Sequence, residues 1–192
     1  MGCGKSSVGR KLSELLCCPF MDLDEDIEAA AGKGIPEIFA EDGEDAFRNL
    51  EADRLSAALA PSPYPGVAKC QFRTSVSTHE PQLCENAMNK GVMKVLSLGG
   101  GTVMRKECAE MVKEKTLCIY LKASVDTLVG HLEGETANRP MLQGESLRER
   151  ISSLMAQRSA IYENTAHIII DTDGKSINDI TEEIIRTIQP DI

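Results

Sequence analysis

Apolar positions along the chain alternate between a helical and an extended period. From Lys5 to Leu16 they recur at Val8, Leu12, Leu15 and Leu16, one stripe of a helix. Pro19 to Leu23 is a short apolar segment carrying an acid and reads as a strand. Asp24 to Ala31 reads as a helix stopped by Gly32 and Gly34. Pro36 sits near the N-terminus of another short helix that ends before Gly43, and Glu44 to Leu59 is a longer one, with Phe47, Leu50 and Ala57 near one face. Met93 to Leu98 is a strand running into glycines, and Lys106 to Lys115 is helical. Thr116 to Leu121 is almost continuously apolar, which predicts a strand covered on both faces. Val125 to Leu132 and Glu145 to Tyr162 read as helices, and His167 to Asp171 as a strand. Ser176 and Asp179 have the spacing of a capping box opening a last helix, Ile177 to Ile188.

Strands that alternate with helices predict an α/β fold, a doubly wound parallel sheet with helices on both faces. Ligands of such sheets sit beyond the carboxyl ends of the strands, where this chain places an Asp-rich and a Gly-rich segment. Two stretches break the pattern. Residues 61–91 hold Pro61, Pro63, Pro65, Gly66 and Pro81 with weak periodicity and read as an irregular insertion. Residues 133–145 are polar with flexible flanks and read as a mobile lid.

Composition narrows the function classes. At 192 residues, 42% hydrophobic and 27% charged, the chain is of ordinary single-domain globular type. No apolar run approaches the ~20 residues of a membrane span, and no signal-peptide core opens the chain. A net charge of -9 without a basic run argues against nucleic-acid and anionic-membrane partners. Anionic ligands would have to be met by a few placed cations. The seven cysteines are odd in number, irregularly spaced and without C-x-x-C, which predicts reduced thiols in the cytoplasm. Cys70, His79 and Cys84 match no zinc spacing.

The sharpest chemical signal is Gly2-Cys3-Gly4-Lys5-Ser6-Ser7 ahead of a helix, the second half of a phosphate-binding P-loop. Its backbone N–H groups and helix N-terminus would cradle phosphate, Lys5 would reach the β- and γ-phosphates, and the Ser6 hydroxyl would bind Mg²⁺. Asp22-Leu-Asp24-Glu-Asp26 fails as a calcium loop, because Ile27 and Lys33 stand where Gly and Glu are needed. It remains either a pair of carboxylates facing the P-loop or a solvated helix start. Arg48 and Glu51 share a helix face, and alone they read more readily as an exposed ion pair than as a site. Gly99-Gly100-Gly101 permits close approach of backbone to ligand, or simply a tight turn. Arg139 stands in the lid and Arg158 on the helix after it.

In order, Gly-x-Gly-Lys-Ser-Ser-Val-Gly-Arg, Asp-Leu-Asp, Ile-Phe-x-x-x-Gly-Glu-x-x-Phe-Arg-x-x-Glu, Gly-Gly-Gly, Arg-Pro-Met-Leu and Gln-Arg-x-x-x-Tyr resemble the motif series of the shikimate kinases, over nearly the whole chain except residues 61–91. The resemblance implies a P-loop NTPase-type fold with a five-stranded parallel sheet, residues 32–60 as substrate-binding helices, and transfer of the ATP γ-phosphoryl to the 3-hydroxyl of shikimate. It implies that Asp24 holds and activates that hydroxyl and that Asp22 and Ser6 stand by Mg²⁺. Arg48 and Arg158 would clamp the substrate carboxylate, Gly99, Gly100 and Gly101 would press backbone on the substrate, and Phe39 and Phe47 would wall the pocket. Gly2, Cys3, Gly4, Lys5, Ser6 and Ser7 would hold ATP, with Arg139 closing from the lid and Lys175 near the adenine. The implied partners are ATP and shikimate alone, for a cytoplasmic monomer.

Three departures from the family accompany this. The loop's first glycine and the strand that feeds it would precede Met1, so the expectation is a sheet lacking its first strand, with the natural start further upstream. Residues 61–91 exceed the usual connection. His131 stands near where the family often has arginine against the nucleotide. The competing readings are a kinase for another hydroxy-acid, such as gluconate, and a relative that binds without turnover.

Overall fold

The computed structural model describes residues 2–60, 94–133 and 147–188. These form two compact units, one drawn from Ser6–Thr102 and the other from Met1–Lys5 together with Val103–Ile188.

In the Ser6–Thr102 unit, helix α1 (Lys5–Leu15) leads into strand β1 (Phe20–Asp22), and three helices follow: α2 (Leu23–Ala31), α3 (Ile35–Glu41) and α4 (Gly43–Leu59). Strand β2 (Val95–Ser97) pairs parallel with β1, Phe20 opposite Val95 and Asp22 opposite Ser97. The register brings the Asp22 end of β1 level with the end of β2 that enters the glycines. The apolar stripe expected on α1 is buried at Val8, Leu12 and Leu16, and Leu23, Ile27 and Leu55 are wholly enclosed. A Cβ at Gly9 would lie 2.6 Å from the Phe20 ring, so the missing side chain lets α1 press on β1. Asp22 caps α2 by accepting the Asp24 N–H at 3.1 Å. The chain leaves α1 through Cys17 in the left-handed region, at φ 51°.

A 3₁₀ turn (Thr102–Met104) leads into the second unit, which holds helix α5 (Lys106–Lys115), strand β3 (Ile119–Lys122), α6 (Val125–Glu133), α7 (Leu147–Thr165), β4 (Ile168–Asp171) and α8 (Ile177–Ile188). Strands β3 and β4 pair parallel from Ile119 opposite Ile168 to Lys122 opposite Asp171. Ala123, Leu128, Val129, Leu132 and Ile151 form a buried cluster. The expected box is present: Ser176 and Asp179 exchange side-chain-to-backbone bonds at 3.0 and 3.2 Å.

Strand and helix thus alternate as the periodicity predicts, and the four described strands form two parallel pairs. Two expectations need correction. Thr116 to Leu121 is not a strand covered on both faces throughout: Leu117 is 57% exposed and pairing begins at Ile119. Thr116 is tied to the end of α5, its N–H and hydroxyl both donating to the Val112 carbonyl, which delays the strand. Thiols are reduced at Cys3, Cys18, Cys108 and Cys118, but Cys17 is disulfide-bonded. Pairing needs Cα atoms within about 7 Å, a proximity that sequence spacing does not encode. The insertion at 61–91, with Cys70, His79 and Cys84, and the lid residues 134–145 lie outside the described residues.

Candidate active site

Within the Ser6–Thr102 unit the acidic strand end, the α4 arginine and the glycine turn converge. Ser6, in the first turn of α1, donates its hydroxyl to Asp22 Oδ2 at 2.6 Å. The same carboxylate caps α2 with its other oxygen, so its orientation is fixed from both sides. A hydroxyl and a carboxylate are hard oxygen donors, the kind Mg²⁺ takes one or two of while keeping waters and phosphate oxygens as its other ligands. The pair fits that ion.

Asp24 stands in the first turn of α2 and lies against the glycine turn. A Cβ at Gly99 would stand 2.6 Å from Asp24 Oδ1 and 3.2 Å from both Glu51 Oε1 and Thr102 Oγ1. A Cβ at Gly101 would overlap the Arg48 guanidinium. Two bare backbone positions, two residues apart, therefore accommodate the carboxylate and the cation.

Glu51, Glu44 and Phe47 are among the groups that hold Arg48. Its Nη1 donates to Glu51 Oε2 at 2.8 Å, its Nη2 and Nε reach Glu44 Oε1 at 3.3 and 3.4 Å, and its guanidinium lies 5.2 Å over the Phe47 ring. Burial, the largest single influence on this group, disfavours its charge, but the Glu51 and Glu44 carboxylates outweigh it and hold the pKa above the ordinary arginine value. Glu51 is only 3% exposed, and its Oε1 accepts from the Thr102 hydroxyl at 2.6 Å. The exposed-ion-pair reading of Arg48 and Glu51 is thus corrected. Buried carboxylates are paired or bonded because desolvating them alone is too costly. Phe39 and Phe47 stack at 4.6 Å between ring centroids, Phe47 buried and Phe39 37% exposed.

The second unit holds the rest of the P-loop. Gly2 and Gly4 take φ of 71° and 74°, the left-handed geometry the motif's glycines supply. His131 Nδ1 lies 2.7 Å from the Gly2 carbonyl, and a Cβ at Gly2 would meet Leu132 at 3.1 Å. Among the described residues Lys5 makes no ion pair. Arg158 lines a cavity with Cys3, Tyr120, Met155 and Tyr162, the two tyrosine rings 5.3 Å apart. Lys175, exposed before α8, is paired with Glu183 at 2.6 Å. Arg139 lies outside the described residues.

The family model for shikimate kinase matches residues 1–70 and 71–189. The chain belongs to the shikimate kinase family. A shikimate kinase of Dictyoglomus turgidum is 37% identical over 193 residues, spanning all of this chain and 94% of that one. Another, from Thioalkalivibrio sulfidiphilus, is 36% identical over 97% of this chain and 82% of its own length. Among solved structures, a shikimate kinase from Acinetobacter baumannii in complex with shikimate superposes with a TM-score of 0.73 at 28% identity, covering 98% of this chain and 88% of that one. Membership makes this chain an ATP-dependent phosphotransferase with an α/β P-loop fold.

Sequence reasoning missed three participants: Thr102, Glu44, and His131 as a partner of the P-loop backbone. Glu44 and Thr102 carry a faint signal, one turn before Arg48 and just after the glycines respectively. The His131 contact spans 129 positions and has none.

Proposed function

We propose that the protein transfers the γ-phosphoryl of ATP to the 3-hydroxyl of shikimate, with Asp24 holding and deprotonating that hydroxyl. The observation that carries the reading is the joint packing of Asp24, Glu51 and Arg48 against the Gly99–Gly101 turn: a carboxylate for a hydroxyl and a planar cation for a carboxylate, within one unit. Asp24 is positioned at a helix start, and Arg48 offers the forked donors suited to a carboxylate. Phe39 and Phe47 supply the apolar wall, and Gly100 the backbone between the two close approaches. Arg158 is assigned to the same carboxylate on its Gln-Arg-x-x-x-Tyr motif.

Ser6 and Asp22 would hold Mg²⁺, which when bound neutralises charge on the transferring phosphoryl group. Gly2, Cys3, Gly4, Lys5 and Ser7 would hold the phosphates, with Arg139 and Lys175 as further nucleotide contacts. Catalysis would then be positioning plus charge neutralisation. We assign residues 32–60 to substrate binding and 133–145 to a lid, in a cytoplasmic monomer.

The test is ADP release with Mg²⁺-ATP and shikimate, with gluconate as the competing acceptor. Shikimate-dependent release that Asp24→Asn lowers by about two orders of magnitude or more fits a lost general base. Equal release with gluconate, or full activity in Asp24→Asn, would overturn the assignment.

A further inference from the structure

We infer that Thr102 is a positioning residue for the substrate carboxylate, acting through Glu51 on Arg48; the inference rests on Arg48 being that carboxylate's ligand. Thr102 is completely buried, and its hydroxyl donates to Glu51 Oε1 at 2.6 Å. Its backbone N–H closes the glycine turn onto the Gly99 carbonyl at 3.2 Å, so the residue is fixed at both ends.

The consequence is a division of labour on one carboxylate. Glu51 Oε1 is occupied by the hydroxyl, which leaves Oε2 to meet Arg48 Nη1 at 2.8 Å. Carboxylate and guanidinium otherwise favour a two-bond fork, and a fork between Glu51 and Arg48 would consume the donors a substrate carboxylate needs. With Oε1 engaged, the grip stays single. The second edge of Arg48 faces Glu44, whose side chain is 66% exposed and whose contacts are the longer ones, 3.3 and 3.4 Å. An incoming carboxylate can displace such a partner at little cost, whereas it could not displace the buried Glu51. Thr102 thereby keeps Arg48 both anchored and able to exchange a solvent-exposed partner for substrate.

The test is steady-state kinetics on Thr102→Val, Thr102→Ser, Arg48→Ala and the Arg48→Ala/Thr102→Val double variant, with thermal unfolding to confirm folding. Thr102→Val should raise the shikimate KM about tenfold, the size of a lost hydrogen bond to a charged group, with the ATP KM unchanged. Thr102→Ser keeps the hydroxyl and should stay within about twofold of the parent. In the Arg48→Ala background Thr102→Val should add nothing, because its route to the substrate is gone. If Thr102→Val does not fold, Thr102→Ala takes its place in both backgrounds. An unchanged shikimate KM in Thr102→Val beside a raised one in Arg48→Ala overturns the relay alone. Effects that multiply in the double variant also overturn it. An unchanged KM in Arg48→Ala overturns the relay and the underlying role of Arg48 together.

Discussion

The Ser6 hydroxyl and the Asp22 carboxylate meet at 2.6 Å, joining the first turn of α1 to the end of β1. If this pair holds Mg²⁺, either substitution alone should weaken the metal. Ser6→Ala and Asp22→Asn are each expected to raise the Mg²⁺ concentration for half-maximal rate by about tenfold or more. Asparagine still caps α2, so Asp22→Asn should fold normally. A Mg²⁺ titration at fixed ATP measures it, and an unshifted midpoint in both variants would remove the pair from the metal site.

Gly101 is replaceable only at the expense of Arg48. A methyl there would overlap the guanidinium, which must swing away from Glu51. Gly101→Ala should therefore raise the shikimate KM about tenfold or more while leaving the ATP KM in place. The same substitution at Gly4 meets no atom within 4 Å, but its φ of 74° strains any side chain, so it should act on stability and nucleotide binding instead. Parallel KM measurements distinguish the two glycines. A Gly101→Ala enzyme with parental shikimate KM would contradict the close approach.

His131 Nδ1 bonds to the Gly2 carbonyl at 2.7 Å. Removing it should loosen the P-loop backbone and leave shikimate contacts alone. His131→Ala is expected to raise the ATP KM by about threefold to tenfold, the range of one neutral hydrogen bond. A change confined to the shikimate KM would show that the ring has another role.

Arg54 grips Asp26 with two bonds, Nε to Oδ2 at 2.6 Å and Nη2 to Oδ1 at 2.8 Å, linking α4 to α2. The Arg54 hydrogen bonds are the main reason the Asp26 carboxyl titrates below its ordinary value, with burial opposing them and Lys94 adding to them. A carboxyl lowered on folding stabilises the protein above its unfolded pKa of about 3.9, and that contribution is lost as pH falls through the folded value. Asp26→Asn should thus lower stability by about 1 kcal/mol at neutral pH, a Tm drop of about 2–4 °C, and the deficit should shrink as pH falls through the lowered folded value. Thermal unfolding from pH 2 to 7 checks the sign. A constant deficit across that range would mean that packing, not charge, carries the pair.

Much of the architecture was legible because it is local. The stripe on α1, the cap at Ser176 and Asp179, the alternation of strand and helix and the P-loop glycines all follow from propensity, periodicity and turn chemistry over a few residues. The chemistry-bearing residue types were legible too, since phosphoryl transfer draws on a narrow set of side chains at fixed motif spacings. Tertiary structure decided what depends on distance between remote positions. It buried Glu51 under Thr102, 51 positions away, and so turned a surface-like ion pair into an anchored cation. It set His131 on Gly2 and bonded Cys17 through its sulfur. It also delayed the strand of the apolar run to Ile119 by tying Thr116 back to α5. Helix and turn signals act through neighbours along the chain; burial and desolvation act through neighbours in space, and those are assigned only when the chain has folded.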